Sequence, residues 1–318
     1  MQGLSQSSIV GGGNRDLAVE TQGLVKRYGS TVAVNRLDFG VLKGGVYGFL
    51  GPNGSGKTTT LKMLIGLIEP TSGSMRVLGE QPGSLASLSR VGALVESPDF
   101  YPYLSGRNNL KIVARCSGVP ATRVEEVLRQ VGLQSRGKDA FKKYSLGMKQ
   151  RLGVAAALLK NPELLILDEP ANGLDAKGMT EMRGLLRNLG EEGRTVLFSS
   201  HLMSEVEQIC DRVGVIKDGQ LVAEGDIAEL QSQGGLEIKA EPLEQASRLA
   251  SEVEGVEESR ISEGKLWLSA DSEVAPDVVH ALDSAGVRVS EVRPAGVSLE
   301  ELFLRLTEDA ESVDGRVE

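Results

Sequence analysis

The chain has 318 residues, a formal net charge of -9 and 40% hydrophobic residues, a composition typical of a globular protein. It contains no run of about eighteen apolar residues, which excludes a helix that crosses a bilayer unaided. Its two cysteines, Cys116 and Cys210, are far apart and exclude a disulfide framework or a cysteine-rich zinc site.

The chain is long enough for two domains, and composition indicates where they divide. Residues 231–318 carry 20 acidic and 8 basic side chains, so this part of the chain is repelled by nucleic-acid phosphates and anionic lipids. A short linker rich in Gln, Ser and Gly, Gln231–Gly235, precedes it. We therefore predict a first domain over residues 17–230 and a second over residues 236–308.

Both ends of the chain are predicted to be disordered, over residues 1–16 and 309–318. The N-terminal segment is rich in Gly, Ser and Gln and has neither a basic start nor an apolar segment. It therefore does not resemble a secretion signal, and we expect the chain to stay in the cytosol.

In the first domain, strand-like and helix-like patterns alternate along the chain. Residues 17–50 alternate in a β manner, and Gly106–Gly132 has apolar residues at helical spacing. Leu164–Leu167 and Thr195–Ser199 have the composition of buried strands. This order predicts an α/β fold with a parallel sheet wrapped by helices, split by a helical insertion over about residues 97–160.

The second domain is predicted to be a small α+β accessory domain. Strands are expected at 236–240, 258–261, 265–269 and 287–292, with helices at 242–253 and 274–285. The resulting β-α-β-β-α-β order is typical of a split βαβ sandwich. A last helix is predicted from Ser298, where Ser298 and Glu301 form a capping box.

A glycine-rich loop follows the apolar strand Val46–Leu50 and precedes a helical pattern. Its spacing, G-x-x-x-x-G-K-[ST], turns backbone N–H groups into one concavity that suits a polyphosphate. We expect Lys57 to reach the β- and γ-phosphates of a nucleoside triphosphate and the Thr58 hydroxyl to hold Mg²⁺. The expected nucleotide-binding loop is Gly51, Pro52, Asn53, Gly54, Ser55, Gly56, Lys57, Thr58 and Thr59.

Two adjacent acids, Asp168 and Glu169, end the apolar strand Leu164–Leu167. We expect Asp168 to hold Mg²⁺ and Glu169 to polarise the attacking water. The alternative is a solvated turn. Four apolar residues before the pair and a glycine loop upstream favour the functional interpretation.

Between these two motifs lies Tyr144-Ser-Leu-Gly-Met-Lys-Gln-Arg151, which opens an apolar helix. It is similar to the signature motif of the ATP-binding subunits of ABC (ATP-binding cassette) transporters. The resemblance implies a P-loop NTPase fold, with a RecA-like sheet, a β-subdomain and a helical insertion. It further implies that Ser145 and Gly147 contact the γ-phosphate of ATP bound to a second copy, whereas on its own the motif is also typical of a helix N-cap.

Three other residues lie where the resemblance implies a role. His201 matches the histidine that hydrogen-bonds the γ-phosphate, and with Lys57 and Glu169 it completes the expected catalytic set. Asp175 matches a loop that links the two sites of a dimer, and Tyr28 matches the aromatic that stacks on adenine. A chance surface histidine and a packing tyrosine are the alternatives at His201 and Tyr28.

The sequence departs from the family pattern at two places. Glu96 stands where glutamine is common, and it is expected to ligate Mg²⁺ as a third carboxylate beside Asp168 and Glu169, favouring protonation of one of them or slow hydrolysis. In the signature, Leu146 and Met148 replace a glycine and a glutamine. These variants resemble those of subunits that serve drug or peptide-antibiotic exporters.

An aromatic cluster follows Glu96, in Asp99–Leu104. The resemblance implies that this neighbourhood receives a cytoplasmic helix of a membrane subunit. We therefore predict that Phe100, Tyr101 and Tyr103 line the groove, with core packing as the alternative.

These observations together predict a peripheral ATPase at the cytoplasmic face of the cell membrane. Two copies are expected to dimerise on ATP and to drive export through a separate integral-membrane permease, without binding nucleic acid. One alternative is a soluble ABC ATPase acting on DNA or the ribosome. The single cassette and the short spacing from Lys57 to Ser145 argue against it. Another is an import ATPase, whose tail would more closely resemble a β-barrel.

Overall fold

The computed structural model describes residues 16–96, 99–232, 235–262 and 264–294. The chain forms two compact units that divide between Glu224 and Gly225. Among the described residues, no helix is both long and apolar enough to span a membrane. The predicted disordered segments, apart from Asp16, and the predicted helix from Ser298 lie outside the described residues.

The first unit contains most of the regular structure. Its strands are β1 (Leu17–Tyr28), β2 (Thr31–Leu42), β3 (Gly45–Leu50), β4 (Ser72–Val77), β5 (Val91–Leu94), β6 (Leu164–Asp168), β7 (Thr195–Ser200), β8 (Arg212–Lys217) and β9 (Gln220–Asp226), which crosses the division. Its helices are α1 (Lys57–Leu64), α2 (Leu85–Arg90), α3 (Gly106–Cys116), α4 (Thr122–Gln130), α5 (Leu146–Leu158), α6 (Ala176–Glu191) and α7 (Met203–Ile209).

Two sheets organise this unit. A three-stranded antiparallel sheet has the order β2-β1-β4, and a six-stranded sheet has the order β5-β6-β7-β3-β8-β9. Strands β5, β6, β7, β3 and β8 pair in parallel. Because the carboxyl ends of parallel strands meet at one edge, the residues after β3, β6 and β7 come together there.

The central strands are buried along nearly their whole length, because helices and the smaller sheet cover them. All six residues of β7 and four of the five in β6 are buried, which explains their continuous apolar sequence. Phe39 of β2 stacks on Phe49 of β3 with ring centroids 5.1 Å apart. This packing places the two sheets against one core.

Helices α3, α4 and α5 separate β5 from β6 in the chain. They pack through buried apolar side chains at helical spacing, namely Leu110, Ala114, Val124, Val127, Leu128, Leu152 and Ala155. Ser105 and Ser145 cap α3 and α5 by accepting backbone N–H groups in the first turn.

The second unit contains α8 (Ile227–Ser232), β10 (Leu236–Glu241), α9 (Leu243–Ala250), β11 (Val256–Ser262), β12 (Lys265–Ala270), α10 (Ala275–Ser284) and β13 (Arg288–Pro294). The antiparallel sheet has the order β11-β12-β10-β13, so β12 lies between the two strands of the first βαβ connection. The predicted β-α-β-β-α-β order is present, and apolar residues of the sheet, α9 and α10 form its core.

The predicted linker differs from the structure at its start. Helix α8 extends through Gln231 and Ser232, so the first residues of the expected linker are helical. Ile227 and Leu230 of this helix are buried, which favours a helix where composition alone indicates a flexible segment.

A buried carboxyl in this fold predicts a pH-dependent stability. Burial raises the pKa of Glu224, although Tyr47, whose Oη donates to its Oε1 at 2.8 Å, favours the ionised form. The folded pKa of Glu224 lies above the unfolded value of about 4.3. The protonated Glu224 therefore contributes its full stability below that value, and this contribution is lost as pH rises through the folded pKa. Glu224→Gln should therefore gain stability over the parent protein as pH rises.

Urea unfolding at about pH 5 and about pH 8 measures this effect. Glu163→Gln is the control, because hydrogen bonds from Arg90 lower the pKa of Glu163, so its contribution is already complete above the unfolded value of about 4.3 and should not change between these pH values. A Glu224→Gln variant whose advantage stays constant between the two pH values would contradict the prediction.

Candidate nucleotide site

The loop between β3 and α1 is shaped by glycines that no other residue can replace. A Cβ on Gly51 would lie 2.3 Å from the Ile216 carbonyl oxygen. Gly56 has φ of 102°, and a Cβ there would lie 2.4 Å from the Ala33 carbonyl oxygen. The backbone therefore passes close to its neighbours and leads directly into the amino end of α1, where unpaired N–H groups favour an anion.

Lys57 lies at the base of this loop with its side chain 5% exposed. Its Nζ donates to the carbonyl oxygens of Gly51 at 2.6 Å and Pro52 at 3.0 Å. The ammonium group is also 3.5 Å from Glu169 Oε1. The buried Ser55 Oγ has no hydrogen-bond partner among the described residues. A buried cation and an unpartnered hydroxyl beside a nest of amides suit a phosphate group.

A hydroxyl and a carboxylate meet beside the loop. Thr58 Oγ1 donates to Asp168 Oδ2 at 2.8 Å, and Ser199 Oγ donates to Asp168 Oδ1 at 2.6 Å. Oxygen atoms of hydroxyl and carboxylate groups are ligands that Mg²⁺ prefers. The Thr58 and Asp168 pair predicted from the sequence therefore fits a magnesium ion.

Glu169 joins the other two residues of the expected catalytic set. Its Oε2 lies 2.8 Å from His201 Nδ1, and its backbone has φ of 47°, in the left-handed region. The backbone N–H of Glu169 donates to Ser199 Oγ at 2.9 Å. Lys57, Glu169 and His201 thus lie in one connected group at the carboxyl edge of the sheet.

Sequence reasoning assigned no role to Glu205, which lies close to this group. It is 6% exposed, and burial raises its pKa, with the negative charge of Glu169 adding to the rise and Arg183 opposing it. Glu205 lies in the polar-looking stretch Ser204-Glu-Val-Glu207, so the sequence does not distinguish it from an exposed helical glutamate.

Glu96, expected to act with Asp168 and Glu169, forms an ion pair with Lys62. Its carboxylate is 2.5 Å from Lys62 Nζ, and its side chain is 66% exposed. Among the described residues, no group of three carboxylate, histidine or cysteine side chains is arranged to hold a metal ion. Glu96 pairs with Lys62 here, and its role as a third carboxylate at the cation stays a prediction.

The remaining predicted contacts to nucleotide lie outside the connected group. Tyr28 is 50% exposed, with Lys26 Nζ 5.1 Å from its ring centroid. Ser145 caps α5, and Asp175 caps α6 by accepting the N–H of Gly178 at 2.8 Å. No hydrogen bond or ion pair between described residues connects Ser145 to the group around Lys57.

The predicted docking aromatics divide into two kinds. Phe100 is half-buried, and its ring packs edge-on against Phe141 with centroids 5.3 Å apart. Tyr101 and Tyr103 are 51% and 69% exposed, with ring centroids 5.9 Å apart. Only the two tyrosines among these three present a large aromatic surface.

The chain matches the ABC transporter family over residues 34–172. It is 38% identical over 297 residues to the bacitracin transport ATP-binding protein BcrA of Enterococcus faecalis, covering 92% of this chain and 96% of that protein. The chain is an ABC transporter ATP-binding subunit.

Other members of the family agree with this assignment. The subunit is 42% identical over 206 residues to the lantibiotic transport ATP-binding protein SrtF of Streptococcus pyogenes, covering 65% of this chain and 90% of that protein. A solved ATP-binding subunit of an ABC transporter superposes with a TM-score of 0.60 at 27% identity, covering 68% and 92% of the two chains. The predicted α/β P-loop fold and the ATPase activity are thereby confirmed.

Proposed function

We propose that this subunit is the motor of an exporter of peptide antibiotics and that it hydrolyses ATP between two copies of itself. The observation that carries the proposal is the convergence of Lys57, Thr58, Asp168, Glu169 and His201 at one edge of the parallel sheet. Each side chain there can bind phosphate, hold a cation or take up a proton.

Thr58 and Asp168 are the residues that would hold Mg²⁺, whose charge offsets that of the phosphates. The Thr58 hydroxyl donates a hydrogen bond to Asp168 Oδ2. Glu96 pairs with Lys62, and its place as a third ligand of the cation stays a prediction.

Hydrolysis uses the other three side chains. The Lys57 ammonium and the amides of Gly54 and Gly56 neutralise the terminal phosphate, to which charge moves in the transition state. Glu169 orients the attacking water through its carboxylate, and His201, bonded to Glu169 through Nδ1, has Nε2 left for the phosphate. Tyr28 provides the exposed ring for adenine.

The second half of the site comes from another copy of the subunit. The amino ends of α5 and α6, which carry Ser145, Gly147 and Asp175, lie side by side, since a Cβ on Gly147 would be 3.6 Å from Gly178 Cα. Leu146, between the two signature residues, is 48% exposed. A helix amino end adds positive potential to the phosphates of a facing copy only when the two copies close, which explains an ATP-dependent dimer.

The permease would hold the dimer at the cytoplasmic face of the membrane. Tyr101 and Tyr103 are the exposed aromatics that we assign to this contact, because aromatic anchors with a polar tip suit a protein interface. Phe100 is half-buried beside them and packs against the buried Phe141.

The transported substrate is inferred from the relatives, which are named for bacitracin and lantibiotic transport. Deleting the gene in the source strain is expected to raise sensitivity to bacitracin or a lantibiotic, and the parent gene should restore resistance while Glu169→Gln should not. Sensitivity to a small non-peptide antibiotic is the control. Unchanged sensitivity to both peptide antibiotics in the deletion strain would contradict the assigned substrate class.

A further inference from the structure

A buried serine contacts both acids at the end of β6. Ser199 is 0% exposed and pairs with Asp168 across the parallel strands β6 and β7. Its Oγ donates to Asp168 Oδ1 at 2.6 Å and accepts the backbone N–H of Glu169 at 2.9 Å. The single hydroxyl proton goes to the carboxylate, and a lone pair is left to accept the amide.

These two hydrogen bonds act on groups that otherwise have freedom to move. Asp168 is fixed through both oxygens, by Ser199 at Oδ1 and by Thr58 at Oδ2. Glu169 has a left-handed backbone with φ of 47°, a conformation that is unfavourable for a residue other than glycine. A hydrogen bond to its N–H helps to hold this conformation.

We infer that Ser199 is a positioning residue that sets the orientation of Asp168 toward the cation and of the Glu169 carboxylate toward water. The inference rests on the proposed roles of those two acids. Ser199 itself touches neither ATP nor metal in this account. Loss of its hydroxyl should leave the Asp168 carboxylate held at one oxygen only, by Thr58, and remove the hydrogen bond that holds the Glu169 backbone.

A purely structural role is the competing explanation, and the same strand provides its control. Thr195, at the amino end of β7, is 2% exposed, and its Oγ1 accepts the backbone N–H of Gly44 at 2.9 Å. Thr195→Ala therefore removes a buried hydroxyl that accepts an amide, as Ser199→Ala does, but at the opposite end of the sheet from Asp168.

The test compares Ser199→Ala with Thr195→Ala by ATP hydrolysis and by Mg²⁺-dependent binding of a fluorescent ATP analogue. For Ser199→Ala we expect kcat to fall about 10–100-fold and the Mg²⁺ concentration for half-maximal binding to rise about tenfold or more. Binding of the analogue without Mg²⁺ should be unchanged. Thr195→Ala should alter the unfolding midpoint without either effect.

Equal kcat and equal Mg²⁺ dependence in the two variants would overturn the inference. If Ser199→Ala does not fold, Ser199→Cys keeps a side chain of similar size with a weak donor, and the same two losses are expected; full activity in that variant would also overturn the inference. A parent protein that binds no nucleotide contradicts the proposed function itself, which separates the two failures.

Discussion

Replacing Lys57 with methionine is expected to abolish ATP binding at micromolar nucleotide. The Lys57 side chain is 5% exposed, and its Nζ is already held at the base of the loop by two carbonyl oxygens. Each hydrogen bond from a charged group to phosphate contributes about 1.5–3 kcal/mol, so losing two of them weakens binding by about a hundredfold or more. Titration with a fluorescent ATP analogue measures the loss.

Methionine is chosen because it keeps most of the volume of the lysine stem while removing the charge. Lys43→Met is the control, because Lys43 pairs with the exposed Asp16 and takes no part in the site. Both variants should unfold cooperatively. Binding by Lys57→Met within a few-fold of the parent protein would exclude the assigned role of the ammonium.

Replacing Glu169 with glutamine should stop hydrolysis while sparing binding. Glutamine retains a hydrogen-bond acceptor within reach of His201 but has no carboxylate to polarise water, and loss of general-base assistance costs about 10²–10⁴-fold in rate. Phosphate release under saturating Mg²⁺ and ATP is the measurement, and affinity for the fluorescent analogue should stay close to that of the parent protein.

The matched control for this variant is Glu163→Gln. It makes the same chemical change just before β6, whereas Glu169 comes just after it, and Glu163 pairs with Arg90. Hydrolysis by Glu163→Gln should stay near the parent rate. A Glu169→Gln protein that releases phosphate at the parent rate would exclude this residue as the base.

The sequence was sufficient to predict the residues that meet at the sheet edge. The glycine loop, Glu169 and His201 each follow a buried strand and Asp168 ends one, and parallel pairing brings such positions together. The order of strands and helices in the second unit can also be predicted from the sequence, because its apolar residues are clearly periodic and its turns contain glycine.

Other features depend on contacts that no periodicity encodes. The ion pair between Lys62 and Glu96 joins α1 to the residues after β5 and holds the Glu96 carboxylate there. Phe100 packs on Phe141, forty-one positions later in the chain, whereas the composition of Asp99–Leu104 does not distinguish it from its exposed neighbours. Ser199 lies in a motif that the sequence singles out for His201, yet its two hydrogen bonds to β6 follow only from the strand register.

The proposed contact between the amino end of α5 and ATP requires a second copy of the chain. Ser145 Oγ accepts the backbone N–H of Met148 in its own helix. The positive amino end of that helix is proposed to face ATP bound to another copy. Ser145→Arg places a long side chain at this contact and should block closure without altering the loop around Lys57.

Light scattering of Glu169→Gln with ATP and Mg²⁺ tests the shared site most directly. We expect the mass of two chains with ATP, the mass of one chain with ADP, and the mass of one chain when Ser145→Arg is added, with nucleotide bound in each case. Glu169→Gln that binds ATP and Mg²⁺ yet keeps the mass of one chain would contradict the shared site.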